Sequence, residues 1–226
     1  VNLLALDSST EACSVALMAG GELRSRHEIA PRKHAELILP FMDQLLAEAG
    51  IGLRQVDALA FGRGPGAFTG IRIATGVVQG IAFAVDLPVV PVSTLATIAQ
   101  GALREQGARR VIAAIDARMG EVYWCGFEAD AEARMRPVAE ECVVGPGEAP
   151  MVAGDGWHGS GSGWSSYDTV LSERYRGQLA SLDGQRLPNA VDVATLAEQM
   201  FLAGHGVSAE QALPVYLRDK VAEKKG

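Results

Sequence analysis

Leu3-Leu4-Ala5-Leu6-Asp7 and Ile112-Ala113-Ala114-Ile115-Asp116 carry one pattern twice, an apolar run closed by an aspartate. Each is followed after a few residues by a second apolar segment: Val15-Ala16-Leu17 in the first half, Val122-Tyr123-Trp124 in the second. Short apolar runs bounded by turn residues read as buried strands. Strands ending in Asp are common in any α/β protein, so one match means little. The two together, with matching follow-on strands, read as an internal duplication.

Working outward from the first copy, Ala12 to Met18 reads as a strand, Gly20-Gly21 as a hairpin turn and Glu22 to Ile29 as a third strand. Lys33 to Ala49 is helix-forming and stops at Gly50, Val56 to Phe61 is a strand, and a helix follows near Thr69 to Val85. Pro88 breaks that helix, Val89 to Val92 is a buried strand, and Ser93 or Thr94 can cap a helix running toward Glu105. Three hairpin-connected strands, then helix, strand, helix, strand, helix, is the order of a ribonuclease-H-like half. The expected fold class is therefore α/β: a duplicated ribonuclease-H-like, or actin-like ATPase (ASKHA), fold with lobes 1–106 and 107–226. The second half is less regular. Gly154 to Gly163, rich in Gly and Ser around Trp157 and His158, reads as a mobile loop, and Asn189 to Ala203 as a helix with Asp192 near its start.

The 226 residues are 48% hydrophobic and 21% charged, a profile of chains that fold. A net charge of -7 argues against unaided binding to a phosphate backbone, and the basic clusters Arg109-Arg110 and Lys220, Lys224, Lys225 read as solvated surface. Three widely spaced cysteines, Cys13, Cys125 and Cys142, form no CxxC pair, which points to a reducing cytoplasm. No uninterrupted run of about 18 apolar residues occurs, and no basic leader precedes the first strand, so no membrane role is expected.

In a duplicated fold of this kind a nucleotide sits between the halves, held by the turn after each first strand. Asp7-Ser8-Ser9-Thr10 has small hydroxyls and a carboxylate suited to phosphate and hydrated Mg²⁺, and can equally be a structural turn. Asp116-Ala117-Arg118-Met119-Gly120 fits a phosphate poorly, since bulky side chains stand where glycine is wanted. Of the four histidines, His27, His34, His158 and His205, none stands four residues from another, so no HxxxH or HExxH can form and each reads as a surface or loop residue. No metal site and no catalytic residue is expected. There is no GxSxG elbow.

The run Gly62-Arg63-Gly64-Pro65-Gly66-Ala67-Phe68-Thr69-Gly70-Ile71-Arg72 is not a P-loop, for no Lys-Ser or Lys-Thr pair ends it. Beyond it Gly76, Gly80 and Ala84 recur every fourth residue, a small-residue stripe that either admits another backbone or lies on the chain's own sheet. Glycine costs an exposed helix roughly 1 kcal/mol relative to alanine, which asks for a packing reason. In the preceding helix Ala35, Ile38, Leu39, Met42, Leu45, Leu46 and Ala49 form a core stripe. Leu37 and Phe41 widen the arc to roughly 200°, against the ~100° that one core contact needs. Pro40 and a kink there account for part of this.

LLALDSSTEACSVAL, GRGPGAFTGIRIATGVVQGIAFAVDLPVVPVSTLATIA and VYLRDKVA together make the sequence closely similar to the bacterial TsaB, or YeaZ, family over nearly the whole chain. The resemblance implies a part in making N6-threonylcarbamoyladenosine at position 37 of transfer RNAs that read ANN codons. It implies a non-catalytic scaffold that binds and activates the catalytic paralogue TsaD, with the ATPase TsaE as further partner and a homodimer when alone. Transfer RNA is then met only through the complex. TsaD resembles this chain in fold and has metal-binding histidines in an HxxxH where Thr94 and Ile98 stand here. The implied interface is the first two helices, with His34, Leu37, Phe41, Arg72, Ile73, Gly76, Val77, Gly80 and Ala84 as candidates. Asp7, Ser8, Ser9, Thr10 and Asp116 are the nucleotide-proximal candidates. No cofactor of its own is implied, and ATP or ADP enters only with the complex. A stand-alone ATPase or phosphotransferase using Asp7 and Asp116 is the enzymatic alternative, and a peptidase is a third.

Overall fold

Successive side chains of a strand point to opposite faces of its sheet. β1 (Leu3–Asp7) accordingly sends Leu4 and Leu6 into one apolar cluster and Leu3 and Ala5 into another. A strand with two buried faces must lie inside a sheet covered on both sides. The computed structural model, which describes residues 1–218, places β1 at the centre of a five-stranded sheet, order β3-β2-β1-β4-β5. β2 (Ala12–Ala19) and β3 (Glu22–Ile29) are antiparallel, joined through Gly20 and Gly21 at φ of 61° and 79°, the positive values a tight hairpin requires. β4 (Ala58–Gly62) and β5 (Val89–Val92) run parallel to β1, reached through the crossover helices α1 (His34–Ala49) and α2 (Phe68–Val85). Lys220, Lys224, Lys225 and the end of VYLRDKVA lie outside the described residues.

The second sheet repeats this order. β6 (Arg110–Arg118) is its centre, flanked by antiparallel β7 (Glu121–Ala129), then β8 (Met135–Pro137), with β9 (Cys142–Val144) also on β7. On the other side come the parallel strands β10 (Trp157–Ser160) and β11 (Leu179–Asp183). The chain is thus a duplicated ribonuclease-H-like, actin-like fold.

The helices do not stay with the sheet they adjoin in sequence. α1 and α2 cover one face of the first sheet through Ile38, Met42, Leu45, Ala74 and Val78. Its other face is covered by α6 (Ala190–Leu202), through Ala190, Val193, Ala194 and Ala197 against Leu3, Ala5, Ala60 and Val90. Conversely α3 (Thr94–Gln106) sends Leu95, Ile98, Ala99 and Ala102 onto Val111, Ala113 and Phe127 of the second sheet. The short helices α4 (Ser162–Ser166) and α5 (Asp168–Arg174) close that sheet's far face. A boundary at 106/107 therefore divides the sheets but not the layers, because residues 190–215 return to the first sheet, while Arg218 pairs with Glu121 of β7.

Gly154 to Gly163 is not a loop throughout. Trp157–Ser160 is an inner strand, all four residues buried, pairing β6 on one side and β11 on the other. Its glycine is a steric necessity, since a Cβ on Gly159 would lie 2.5 Å from the Trp164 ring. The Trp164 indole in turn donates to the Ile112 carbonyl at 2.9 Å. Two histidines also depart from expectation: His34, at the start of α1, and His158, in β10, are 7% and 5% exposed. In α1 itself Ala35 and Leu39 face outward, Leu39 49% exposed, so the core stripe is narrower than its periodicity suggests.

Candidate functional site

The turn after β1 is where the fold would place a phosphate, and here the chain itself fills it. Asp7, Ser8 and Ser9 are fully buried. Ser8 donates its hydroxyl to the Gly70 carbonyl at 2.8 Å, and the Ala67 N–H donates to the Ser9 carbonyl at 2.7 Å. The approach is so close that a Cβ on Gly66 would lie 2.4 Å from the Ser9 carbonyl oxygen, and one on Gly70 1.9 Å from that of Ser8. Small side chains and glycines, the chemistry that admits a phosphate, are used to seat the start of α2 on the turn. Asp7 and Ser8 are consequently packed away from the inter-lobe cleft, whereas Ser9 and Thr10 line it.

Asp7 accepts from the Ser9 N–H at 3.0 Å and the Ser9 hydroxyl at 2.8 Å through Oδ1. Its Oδ2 has no partner and lies against the bare Cα of Gly62, 1.8 Å from where a Cβ would stand. Burial pushes the carboxyl up to about 6, and the Ser9 donors only partly oppose this. A raised acid binds its proton more tightly folded than unfolded, so its contribution favours the fold at low pH and is lost as pH rises through about 4 to 6. Comparing Asp7→Asn with the parent by urea denaturation, we expect the variant to gain about 3 kcal/mol relative to parent between about pH 4 and pH 7. A difference independent of pH would contradict this.

The second turn lies across an inter-lobe cleft of about 820 Å³. β6 runs on through Asp116 to Arg118, and the hairpin takes positive φ at Arg118, Met119 and Gly120. The Asp116 carboxylate is engaged at both oxygens, accepting from the Arg118 N–H at 2.8 Å and its guanidinium at 3.0 Å, and from the Tyr167 hydroxyl at 3.3 Å. Thr10, Asp116 and His34 all line the cleft, so the structure brings these candidates together around one space. His34, with 7% exposure, faces this cleft and offers little to an outer surface.

Thr94 and Ile98, where the resemblance puts metal-binding histidines, are 0% and 1% exposed, and Ile98 packs in the second sheet's core. Among the described residues no group of three or more His, Cys, Asp or Glu side chains is placed to hold a metal ion.

The outer face of α2 is the other notable surface. The helix is 18 residues long and apolar enough to cross a membrane by length and composition alone, yet one third of it is buried. Its inner face is Ile71, Ala74, Thr75, Val78 and Ala82; outward stand Arg72, Gly76, Gly80, Phe83 and Ala84. A Cβ on Gly76 or Gly80 would meet no atom within 4 Å, so the small-residue stripe lies on no part of its own sheet. Phe83 is 80% exposed, while Ile73, Val77, Leu37 and Phe41 are half-buried at the edge of the core. Sequence reasoning missed Phe83 because it sits just off the stripe. Residues 212–216 lie along the start of this face: Gln79 donates to the Ala212 carbonyl at 3.0 Å, and Arg72 to the Tyr216 hydroxyl at 3.1 Å.

Two ribonuclease-H-like sheets, exchanged inner helices and a first-strand turn closed by its own chain define an actin-like protein whose usual phosphate turn serves packing. The family profile "TsaD: tRNA N6-adenosine threonylcarbamoyltransferase" matches residues 26–225. The chain is 44% identical to the tRNA threonylcarbamoyladenosine biosynthesis protein TsaB of Escherichia coli K12, over 100% of this chain and 98% of that protein. It is 43% identical to the TsaB protein of Haemophilus influenzae, over 100% and 97%. Among solved structures it is similar to YeaZ from Pseudomonas aeruginosa, with a TM-score of 0.88, 53% identity, and coverage of 96% of this chain and 99% of that one. The chain belongs to the TsaB, or YeaZ, family.

Proposed function

We propose that this protein is a non-catalytic subunit of the assembly that makes N6-threonylcarbamoyladenosine on transfer RNA, acting in the cytoplasm by binding and activating a TsaD partner. The observation that carries the reading is the outer face of α2. Gly76, Gly80 and Ala84 leave a channel where a second helix backbone can approach closely, and Phe83 and the half-buried Val77 supply apolar area beside it. α1 adds Leu37, Phe41 and Leu39. The names of the Escherichia coli and Haemophilus influenzae relatives supply the pathway. The buried Asp7-Ser8-Ser9 turn supports placing the chemistry in the partner. TsaE joins the same assembly, and the isolated chain pairs with itself through this face.

Glycine on an open helix face makes the test unusually clean. At concentrations where the isolated chain is monomeric, Gly80→Ala is expected to stabilise it by about 0.5–1 kcal/mol, because no atom of its own chain opposes the added methyl and the unfolded chain loses freedom. Gly80→Arg and Gly76→Arg should likewise leave the fold intact. In a mixture with purified TsaD, the two arginine variants should weaken complex formation by at least about 30-fold. Modified nucleoside in transfer RNA, measured by mass spectrometry, should fall with it. Unchanged assembly and modification with either arginine variant defeats the interface assignment.

A further inference from the structure

We propose that residues 213–218 form a latch across one rim of the inter-lobe cleft, hinged at Leu213-Pro214, whose release lets the two lobes part along that rim. The segment ties opposite walls of the cleft together within a few residues. On the first lobe Tyr216 packs on Phe68 with ring centroids 5.6 Å apart, and its hydroxyl accepts from Arg72 at 3.1 Å. The Arg72 guanidinium lies 3.8 Å from the centre of the same Phe68 ring. On the second lobe Arg218 pairs with Glu121 of β7 and donates to the Arg118 carbonyl at 3.4 Å. Phe68 and Arg118 both line the cleft, one from each lobe. The seat is shaped for a main chain: the Val215 N–H donates to the Arg63 carbonyl at 2.9 Å, and a Cβ on Gly64 would lie 2.9 Å from the Val215 carbonyl oxygen. The glycine-rich run thus admits the latch at Gly64, as it admits the turn after β1 at Gly66 and Gly70.

The anchoring changes abruptly at Leu213. Ala212 is fully buried in the core of the first lobe, and its carbonyl accepts from Gln79. Leu213 is 59% exposed and Tyr216 43% exposed. Among the described residues the main chain beyond Leu213 makes one hydrogen bond, the one from Val215 to Arg63. A segment with few buried apolar contacts and few backbone bonds opens at far lower free energy than the core behind it. Its two side-chain ties are of modest strength: a half-exposed aromatic pair, and an ion pair between partly exposed side chains. The latch can therefore detach as a unit while the fold behind Ala212 stays closed. Arg63 is the junction, because its carbonyl holds the latch while its guanidinium reaches Glu141 of the second lobe at 3.1 Å. The lobes remain joined at that point when the rim is freed.

The full chain, labelled with ¹⁵N and held at concentrations where it is monomeric, is compared with Glu121→Lys and Tyr216→Ala. Amide hydrogen exchange and relaxation by a neutral gadolinium chelate in solution are the two readouts. Glu121→Lys, on the second lobe, replaces attraction for Arg218 by repulsion, and should speed exchange of the Val215 amide on the first lobe about threefold. Tyr216→Ala should speed it about fivefold. In both variants the Ala212 and Leu45 amides should keep the parent's exchange rates. Thr10 and Tyr123, which line the cleft from opposite lobes, should relax faster with the chelate. Unchanged Val215 exchange in Glu121→Lys would mean that the two ends of the segment act independently, and overturns the latch. Faster exchange with unchanged relaxation at Thr10 and Tyr123 would mean a loose tail that does not govern the cleft, and overturns it equally. Glu121 is half-buried at the start of β7, so its variant carries both readouts if Tyr216→Ala fails to fold.

Discussion

Gly70→Ala is expected to destabilise the protein by more than about 3 kcal/mol, among the largest effects a single methyl group can have. The added Cβ would stand 1.9 Å from the Ser8 carbonyl oxygen and 3.0 Å from its carbon, both in the backbone of the turn after β1. A flexible side chain could swing aside, but a main-chain carbonyl in this fully buried turn cannot. Relief requires α2 to withdraw, breaking the Ser8 hydroxyl bond to the Gly70 carbonyl and leaving both groups buried without partners. Urea denaturation measures the effect, with Gly76→Ala as the control that should gain stability. A loss under about 1 kcal/mol would show that the turn yields to a methyl group.

Arg104→Met should cost about 3 kcal/mol, and considerably more than Asp192→Asn. Arg104, on α3, makes two bonds of 2.8 and 2.9 Å to the Asp192 carboxylate on α6, and Asp192 is 2% exposed while Arg104 is 37% exposed. Removing the arginine strands a carboxylate that burial already pushes up, with Arg186 as a remaining positive neighbour. Removing the carboxylate leaves a guanidinium that can turn to Glu105, 2.9 Å away, or to water, a loss nearer about 1 kcal/mol. The stranded acid also sets the pH signature: its pKa rises further, so the deficit of Arg104→Met shrinks as pH falls and the carboxyl protonates. Equal losses for the two variants, or a deficit that does not change with pH, would contradict this account.

The first sheet was readable because its signals are local. Alternation or continuous burial in β1, β2, β4 and β5, the Gly20-Gly21 turn and the stops at Gly50 and Pro88 each act within a few residues. The duplicated Asp-terminated strands gave the central strands of both sheets. What stayed hidden depends on partners distant in sequence. Trp157-His158-Gly159-Ser160 has the composition of a loop, and it is an inner strand because Trp164 needs the space above Gly159. Ser8 and Ser9 have the chemistry of a phosphate turn, and only the arrival of Gly66 and Gly70, about 60 residues later, shows them closed. Periodicity located α3 and α6 as helices but carries no information about which sheet each covers. The Gly76-Gly80-Ala84 stripe was legible as a stripe, while its outward direction needed coordinates.

The exchange of α3 and α6 between the sheets has a consequence for synthesis on the ribosome. The first sheet's strands are complete at Val92, but the helix that covers one of its faces begins only at Ala190. At about 5–20 residues per second the face formed by Leu3, Ala5, Ala60 and Val90 waits on the order of 5–20 s for its own lid. A nascent chain of this design carries a bare apolar wall through nearly half its translation, and is a natural client for a chaperone at the exit tunnel.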